Sequence, residues 1–494
     1  MSIQDIDSPF LLDDTQRKYV GIKNPDGTES ELLNNANASY NNGGRPTVVV
    51  LGDSRVENAI SSSINYEPSR SWAMHTLSAL NGRMTYLYNA GVGGQDSSQM
   101  LARFDKDVVS RKPTWCWMMG PVNDFIPAKN FEVSKSQSNI ITIYEKCKQN
   151  NISFAISTIQ PWPNYNTDVS KTKHAQFNRW LIEFCAGNRI PCVDEYTPLA
   201  DPAGNGESFI DPAYAWDVNG HPSTSGARVI GEAWYKVFDP ILPYNPVTMS
   251  AGTTINPYNA YANQSGFPVG AALPTGWSQT GTATAITSAT EARPDGLPGT
   301  VMRITGTGTA NAQYLGVTAP TMPMDVFRTN SEAVVVGNRR IMADGNDYMI
   351  MLPAHAGTTS ASAPAFNNQI GAITVDGTAT WTRVANFRPG NTVIFEMEYF
   401  TSGISGGNLG FMPACFITQN GGSPSEQGRV MVHQDGYASP LIVPNGVLRS
   451  KPFIIPPGTL SYSGLYVAYI NAGVTGTIKI GRIGFRHFPL YTGV

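Results

Sequence analysis

Thr47-Val-Val-Val-Leu51-Gly52-Asp53-Ser54 is the stretch of this 494-residue chain that indicates its fold. A short run of β-branched and aliphatic residues that stops at small turn residues predicts a buried strand. In open α/β sheets, ligands bind beyond the carboxyl ends of the strands, so this strand would carry Ser54 to such a place. An ordinary β-turn also favours Gly, Asp and Ser, so a turn and a nucleophile are both possible interpretations of Ser54.

Two further apolar runs end at residues that can stabilise negative charge. Tyr86–Ala90 leads into the glycine-rich turn Gly91-Val-Gly-Gly94 and a helix predicted to begin near Ser97. Glycines let backbone N–H groups approach a ligand closely, and a helix N-terminus favours an anion. Trp115–Met119 ends at Gly120-Pro-Val-Asn-Asp124, where an asparagine amide could donate to an oxyanion, although Asn-Asp is also common in turns.

A fourth predicted strand and a late histidine complete the pattern. Ser153–Ile159 is another short apolar run, and it stops at Gln160-Pro-Trp-Pro163. Much later, Asp217-Val-Asn-Gly-His221 precedes a predicted helix through Ala227–Trp234. Histidine suits general-base work at neutral pH, and a carboxylate on its far ring nitrogen would fix the tautomer.

Together these pieces resemble the SGNH (GDSL-type) hydrolases over about residues 45–243. The four sequence blocks of that family look similar, in the same order, to Gly52–Ser54, Asn89–Gly94, Gly120–Asp124 and Asp217–His221. The resemblance implies an α/β domain with a flavodoxin-like three-layer α/β/α fold.

The same resemblance implies a role for each site residue. Ser54 would be the nucleophile, His221 its general base and Asp217 the carboxylate that orients the imidazole. The oxyanion hole would consist of the backbone N–H of Ser54, the backbone N–H of Gly94 and the side-chain amide of Asn123. Each such donor contributes about 2.7–4 kcal/mol to transition-state stabilisation. Gly91 and Gly93 are interpreted as turn residues.

Two departures from the family pattern leave alternatives open. A Pro-Val pair separates Gly120 from Asn123, whereas similar proteins have Gly-x-Asn-Asp. Asp217 lies four residues before His221, whereas the usual spacing is three. The longer loop would still let Asp217 reach the imidazole, but Asp211 or a water molecule are alternative partners.

The other histidines are not expected to take part. His174 lies in the polar stretch Lys171-Thr-Lys-His-Ala-Gln and is predicted to face solvent. The remaining ones are interpreted as packed or surface residues: His75, His355, His433 and His487. Only His221 combines an upstream carboxylate, a turn and a following helix.

Composition excludes several classes of protein. The formal net charge is −3, and no basic block interleaves with aromatics, so no nucleic-acid partner is predicted. The five cysteines predict neither a disulfide framework nor a metal cluster, and no cofactor or metal is expected. The N-terminus lacks the pattern of a signal peptide, and no run has transmembrane length, so no membrane insertion is expected. We therefore expect synthesis in a cytosol.

The amino-acid composition and the hydrophobic pattern of the chain change near residue 245. Beyond Pro246, lysine occurs only at positions 451 and 479, and short alternating runs recur between turns. This pattern predicts an all-β antiparallel sandwich or jelly roll over residues 246–494, after a hydrolase domain at 45–245. Leu273-Pro-Thr-Gly-Trp277 resembles the opening of jelly-roll carbohydrate-binding modules. Trp277 and Trp381 could stack on sugar rings or fill a core.

Two segments resemble parts of bacteriophage proteins. Residues 341–384 look like a small β module of phage tail fibres and receptor-binding proteins, inserted in the sandwich. Tyr19–Glu29 is similar to hairpins of phage structural proteins, and its Asn-Pro-Asp-Gly is a strong turn signal. Residues 1–44 would then be an N-terminal segment that ends in a polar linker, Asn34–Gly44.

These observations favour one function over two others. The preferred hypothesis is a phage tail fibre or tailspike in the virion whose SGNH esterase removes O-acyl groups, chiefly acetyl, from a bacterial surface polysaccharide. A homotrimer is expected by extension from such fibres. The alternatives are a bacterial carbohydrate esterase or lipase-like enzyme with an appended sugar-binding domain, and a non-catalytic receptor-binding protein.

Overall fold

The protein consists of two compact units, described here from a computed structural model. The first comprises Met1–Ile60 and Arg70–Val247, and the second comprises Ser61–Ser69 and Thr248–Val494. The residues with a described structure are 10–13, 18–23, 29–30, 46–57, 65–67, 70–165, 167–202, 210–242, 261, 278–281, 286–296, 300–306, 313–406, 409–419, 422–430, 432–433, 441–470 and 473–488.

A five-stranded parallel sheet forms the centre of the first unit. Its strands are β1 (Thr47–Gly52), β2 (Thr85–Gly91), β3 (Trp115–Met118), β4 (Ser153–Ser157) and β5 (Cys192–Val193). The spatial order is β2-β1-β3-β4-β5, which is the flavodoxin-like order with a switch point between β1 and β3. The predicted strand Thr47–Leu51, which leads to Ser54, is therefore β1, the strand at this switch point.

Helices cover both faces of this sheet. They are α1 (Ser54–Glu57), α2 (Trp72–Ala79), α3 (Ser97–Ala102), α4 (Phe104–Asp107), α5 (Val133–Gln149), α6 (Asp168–Asn188) and α7 (Thr224–Phe238), with 3-10 turns at Val109–Arg111, Val122–Phe125 and Thr197–Leu199. Val49 and Leu51 of β1 pack in one core with residues of α3 to α6. The predicted three-layer α/β/α fold is confirmed.

Aromatic side chains fill the other face, beneath α2 and α7. Trp117 of β3 lies 5.1 Å from Trp234 and 4.5 Å from Phe238, measured between ring centroids. Trp72 of α2 stacks on Trp234 at 4.8 Å. Large buried aromatic rings contribute heavily to a core, and truncating one to alanine typically costs about 3–5 kcal/mol. This cluster fixes α7, whose N-terminal end follows His221.

Three short strands form an antiparallel sheet near the N-terminus: Phe10–Asp13, Lys18–Lys23 and Glu29–Ser30. Lys23 pairs with Glu29, as the predicted hairpin requires. The turn itself and the predicted linker at 34–44 lie outside the described residues.

The second unit is rich in antiparallel sheet, as predicted. Its strands are β6 (Ser278–Gly281), β7 (Ile286–Ala292), β8 (Thr300–Gly306), β9 (Gln313–Thr318), β10 (Ala333–Val334), β11 (Arg339–Ile341), β12 (Asp347–Met349), β13 (Gly357–Thr358), β14 (Ile373–Asp376), β15 (Ala379–Arg383), β16 (Thr392–Ser405), β17 (Leu409–Gln419), β18 (Ser425–Val430), β19 (Asn445–Arg449), β20 (Thr459–Ile470) and β21 (Thr475–His487). The short strands Met322–Pro323, Val432–His433 and Phe453–Ile454 pair with β20, β17 and β16, respectively, and Pro353–His355 is a 3-10 turn.

Two of these sheets pack face to face. One contains β6-β9-β20-β17-β18 and the other β7-β8-β21-β16-β19. Tyr399 of β16 stacks on Phe411 of β17 at 4.5 Å, and Tyr462 of β20 stacks on Phe485 of β21 at 4.3 Å. These aromatic pairs join the inner faces of the two sheets into one sandwich core.

A small β module is inserted between β9 and β16. It contains a four-stranded sheet in the order β11-β12-β15-β14 and the pair β10-β13. Its own core includes Trp381, which is fully buried and donates from Nε1 to Asp376 (3.1 Å). Of the two interpretations of Trp381, the structure supports a core residue. Trp277 lies outside the described residues.

One short segment joins the second unit from within the hydrolase sequence. Ser61–Ser69 lies between α1 and α2 in the chain, yet it belongs to the second unit. Its strand Asn65–Glu67 pairs in parallel with β18. The sequence analysis did not foresee this excursion, because a three-residue strand carries almost no pattern.

No helix in the described ranges is long and apolar enough to cross a membrane.

Candidate active site

Ser54 lies at the end of β1, where the strand turns directly into α1. The backbone N–H groups of Val56 and Glu57 donate to the Asp53 carbonyl (3.1 and 2.9 Å), which fixes this turn. β1 is buried along its whole length, whereas Ser54 itself is half-buried. The fold thus holds a rigid strand beneath a hydroxyl that solvent can reach.

Ser54, His221 and Asp217 form one hydrogen-bonded line. Ser54 Oγ lies 2.9 Å from His221 Nε2, and His221 Nδ1 lies 2.8 Å from Asp217 Oδ2. Asp211, the alternative partner, instead accepts from the backbone N–H of Ala213 (2.9 Å). The structure therefore places Asp217 on the imidazole, despite the four-residue spacing.

A tight turn accommodates the extra residue between Asp217 and His221. Asp217 Oδ1 accepts from the backbone N–H groups of Asn219 (3.0 Å) and His221 (3.1 Å), and the Asp217 carbonyl accepts from Gly220 N–H (3.0 Å). Gly220 has φ +82°, and a Cβ there would lie 2.6 Å from Pro163 Cδ. Only glycine fits this position without strain.

Hydrogen bonds hold the Asp217 carboxyl in its charged form. Burial of this group raises its pKa, but the bonds from the His221 backbone and ring and from the Asn219 backbone outweigh burial, so the pKa is lowered from its ordinary value. A carboxylate in this state can stabilise a positively charged imidazole.

The imidazole is also fixed from two other sides. Trp216 N–H donates to the His221 carbonyl (2.7 Å), and Ala215 pairs with Pro222 in an isolated bridge. The Trp162 ring lies edge-on to the imidazole, with centroids 5.3 Å apart. These contacts restrict the ring of His221 to an orientation that faces Ser54.

The predicted oxyanion donors lie at three neighbouring strand ends. Within the described ranges, neither the Ser54 nor the Gly94 backbone N–H makes a hydrogen bond. Asn123 Nδ2 donates one hydrogen to the Gln95 carbonyl (2.9 Å), and an amide has a second one. The N–H of Gly93 is occupied by Glu57 Oε2 (2.8 Å), which agrees with a turn role for that glycine.

The glycine loop is held by a lysine that the sequence analysis missed. Lys129 Nζ contacts the Gly94 carbonyl (2.8 Å), Asp96 Oδ2 (2.8 Å) and Gln99 Oε1 (3.0 Å). Gly94 has φ +72°, so its backbone turns in the left-handed region. A lysine 35 residues away leaves no short-range signal for this contact.

Asp124 anchors the Asn123 turn from inside the protein. Its carboxyl accepts from Ser97 N–H (2.8 Å), Ser97 Oγ (2.5 Å) and Ser136 Oγ (2.6 Å). Burial raises the pKa of Asp124 to about 6, although these bonds act in the opposite direction. The carboxyl thus connects the third block of the sequence to α3 and α5.

Beneath Ser54 lies a buried group of charges that the sequence analysis also missed. Arg55 Nε and Nη2 donate to the two Asp53 oxygens (3.0 and 2.8 Å), and Nη2 also reaches the Gly120 carbonyl. Glu195 is fully buried and accepts from Trp234 Nε1 (2.7 Å). Burial raises the pKa of Glu195 to about 7, while the Arg55 charge acts to lower it. Through its bond to the Gly120 carbonyl, Arg55 connects the turn at Ser54 to the end of β3.

The prediction that His174 faces solvent is wrong. Its side chain is only 2% exposed, and Nε2 lies 3.0 Å from the Ile159 carbonyl. Burial lowers the pKa of His174 to about 4. The residue lies on the inward face of α6 with Phe177 and Leu181, three and seven positions further on.

No group of three or more metal-ligating side chains occurs in the described part of the chain. The chemistry that the site residues can perform is nucleophilic acyl transfer. The serine attacks, the histidine accepts its proton and the backbone donors stabilise the oxyanion.

A parallel sheet that carries serine, histidine and aspartate in one hydrogen-bonded line defines an α/β serine hydrolase. The model of the GDSL-like Lipase/Acylhydrolase family matches residues 50–229, which lie, except for Ser61–Ser69, within the α/β unit that carries this serine, histidine and aspartate. An uncharacterized lipoprotein of Bacillus subtilis strain 168 is 23% identical over 214 residues, which cover 38% of this chain and 88% of the relative.

Solved structures that are similar to this chain cover about two fifths of it. A GDSL-like lipase from Bacteroides thetaiotaomicron is 20% identical, with 42% of this chain and 98% of that chain covered and a TM-score of 0.32. An acetylxylan esterase from Geobacillus stearothermophilus is 17% identical, with 39% and 93% covered and a TM-score of 0.32.

Proposed function

We propose that the protein is a serine esterase that removes O-acyl groups, chiefly acetyl, from a bacterial surface polysaccharide. The observation that carries this proposal is the line from Ser54 Oγ through His221 to Asp217, with distances of 2.9 and 2.8 Å. In acylation, Ser54 Oγ attacks the ester carbonyl and His221 Nε2 takes its proton. His221 then protonates the sugar oxygen as its bond to the acyl carbon breaks, so the sugar leaves with a free hydroxyl. In deacylation, His221 takes a proton from water, which attacks the acyl-serine and releases acetate and Ser54.

The position of the site suits a large polar substrate. The Asp217 and His221 side chains are each about a quarter exposed, and Gly93 and Gly94 are exposed. A polysaccharide can approach a serine at such a surface without leaving water. The oxyanion of the tetrahedral intermediate would be held by Ser54 N–H, Gly94 N–H and the Asn123 amide.

We propose a phage tail fibre or tailspike in the virion as the setting, with the second unit binding the polysaccharide. The support comes from the resemblance of Tyr19–Glu29 and of residues 341–384 to phage modules, together with the paired strands in both segments. A homotrimer would place several weak sugar sites on one particle, which raises avidity.

A bacterial carbohydrate esterase is the second candidate. The relative from Bacillus subtilis, which is described as a lipoprotein, favours this setting. The oligomeric state separates the two candidates, because a fibre protein is expected to sediment as a trimer and an ordinary esterase need not.

One assay tests the proposed reaction. Purified protein is incubated with a panel of capsular and O-antigen polysaccharides, and released acetate is measured against the Ser54→Ala variant. Release from at least one polysaccharide by the wild type only is the expected result. No release from any of them, with hydrolysis of 4-nitrophenyl acetate intact, would overturn the polysaccharide as substrate. No turnover of either would favour the non-catalytic receptor-binding protein.

A further inference from the structure

Trp216 is an exposed aromatic residue at the rim of the active site. It precedes Asp217 directly, and its backbone N–H donates to the His221 carbonyl (2.7 Å). The residue is 57% exposed, whereas Trp72, Trp117, Trp162 and Trp234 of the same unit are almost fully buried. Packing does not explain an indole in this position, because most of its apolar surface remains in water.

Arg70 covers one side of this indole. Its guanidinium carbon lies 3.8 Å from the centroid of the Trp216 ring, which is a cation–π contact. Arg70 contacts one face of the ring, and more than half of the residue is still exposed, which leaves surface for a ligand to contact. The contact also limits rotation of the ring, so the exposed face is presented in a fixed direction.

The turn that carries Trp216 is itself fixed to the catalytic groups. Ala215 pairs with Pro222, and Asp217 and His221 are bonded to each other through both backbone and side chain. His221 in turn contacts Ser54. The indole therefore keeps a constant position relative to the nucleophile, as a substrate-positioning residue must.

We infer that Trp216 is a stacking platform for a pyranose ring of the substrate. This inference rests on the proposed function. The C–H face of a sugar ring is apolar, and it fits the flat face of an indole whose quadrupole attracts C–H groups. A ring held there would direct the ester of the same or the adjacent sugar towards Ser54. Trp216 thus selects glycan esters over small esters.

The test compares glycan and aryl esters in the full-length protein. Wild type, Trp216→Ala and Trp216→Phe are assayed on chemically O-acetylated hexasaccharides of xylose, glucose and galacturonic acid, and on 4-nitrophenyl acetate. The matched control is Val218→Ala, which removes another exposed side chain from the same turn. Thermal transitions establish that every variant folds.

Loss of the ring is expected to raise KM for the preferred hexasaccharide by at least about tenfold, with a clearly smaller effect on the aryl ester. Trp216→Phe should recover part of the difference, and Val218→Ala should match wild type on both. Equal losses on both esters would mean that Trp216 only supports the turn, and unchanged KM on the hexasaccharide would also overturn the inference. If wild type hydrolyses the aryl ester but no acetylated hexasaccharide, the proposed substrate class itself fails.

Discussion

Ser54 and His221 depend on each other, because the hydroxyl is a weak nucleophile until the imidazole removes its proton. We expect Ser54→Ala and His221→Ala each to abolish hydrolysis of 4-nitrophenyl acetate. Losses within such a unit are not additive, so the double variant should be no worse than either single one. The thermal transition should stay near wild type. The control is Ser110→Ala, which removes an exposed hydroxyl that donates to the Lys106 carbonyl. Substantial turnover in Ser54→Ala would refute the assignment.

Asp217 acts on the reaction only through His221. We expect Asp217→Ala to lower kcat by roughly 10²–10⁴-fold, less than loss of the serine or histidine. Asp211→Ala should have little effect, because that carboxyl caps the Ala213 N–H instead. An unchanged rate in Asp217→Ala together with a large loss in Asp211→Ala would reverse the two roles.

Glu195 is expected to make stability depend on pH. Burial raises its pKa to about 7 in the folded protein, well above the value of about 4.3 for the unfolded chain. Between these two values the folded state binds more protons, so this group lowers the free energy of unfolding as pH rises to 7. Glu195→Gln removes the effect, which amounts to about 4 kcal/mol at most, because each pKa unit corresponds to about 1.36 kcal/mol. Chemical denaturation at pH 5 and pH 8 measures the free energy of unfolding. The difference between Glu195→Gln and wild type should shift in favour of the variant at pH 8. An equal difference at both pH values would contradict the prediction.

At the level of single residues, the sequence predicted the groups that touch substrate better than those that support them. The blocks around Ser54 and His221 are short and local, so spacing and turn chemistry reveal them. Arg55, Glu195 and Lys129 depend on partners that the fold brings together from distant parts of the chain. One partner of Arg55, Asp53, lies two residues away in the sequence. Its other partner, the Gly120 carbonyl, lies 65 residues away, so no local pattern in the sequence indicates that contact.

The Asp217–His221 turn is the element on which the site geometry depends most. Gly220→Ala would strain a backbone at φ +82° and place a Cβ 2.6 Å from Pro163 Cδ. We expect a loss of about 1–2 kcal/mol in stability and a larger relative loss in kcat, because His221 would shift with the turn. The matched control is Gly187→Ala in α6, where an added Cβ would meet no atom from another part of the fold within 4 Å. This variant should be neutral or slightly stabilising. Wild-type kcat in Gly220→Ala would show that the turn tolerates the change.

Strands and helices followed from local pattern wherever one face was buried. The predicted strand Thr47–Leu51 is observed as Thr47–Gly52, and the helix expected near Ser97 begins there. The prediction for His174 failed because it relied on polar neighbours in sequence. The helical period, which groups this residue with Phe177 and Leu181, would have placed it inside.

For the whole molecule, the two units are expected to divide the work between chemistry and recognition. We expect a chain of residues 46–247, with Ser61–Ser69 replaced by a Gly/Ser linker, to be soluble and to hydrolyse 4-nitrophenyl acetate. The same chain with Ser61–Ser69 retained should aggregate more, because Asn65–Glu67 would lack its partner strand. Both should lose most activity on intact polysaccharide. Equal losses on both substrates would mean that the second unit completes the active site, and no loss on polysaccharide would make it a spacer.

The strand Asn65–Glu67 imposes an order of events during protein synthesis. Asn65 pairs with Gly428, so its partner leaves the ribosome only after a further 363 residues have been added. At 5–20 residues per second this delay is roughly 20–70 s, whereas closing local contacts takes far less than a second. The parallel sheet around Ser54 can therefore form long before this segment finds its place. A nascent chain that stops short of Ser425 would have a folded catalytic core and a permanently unpaired strand.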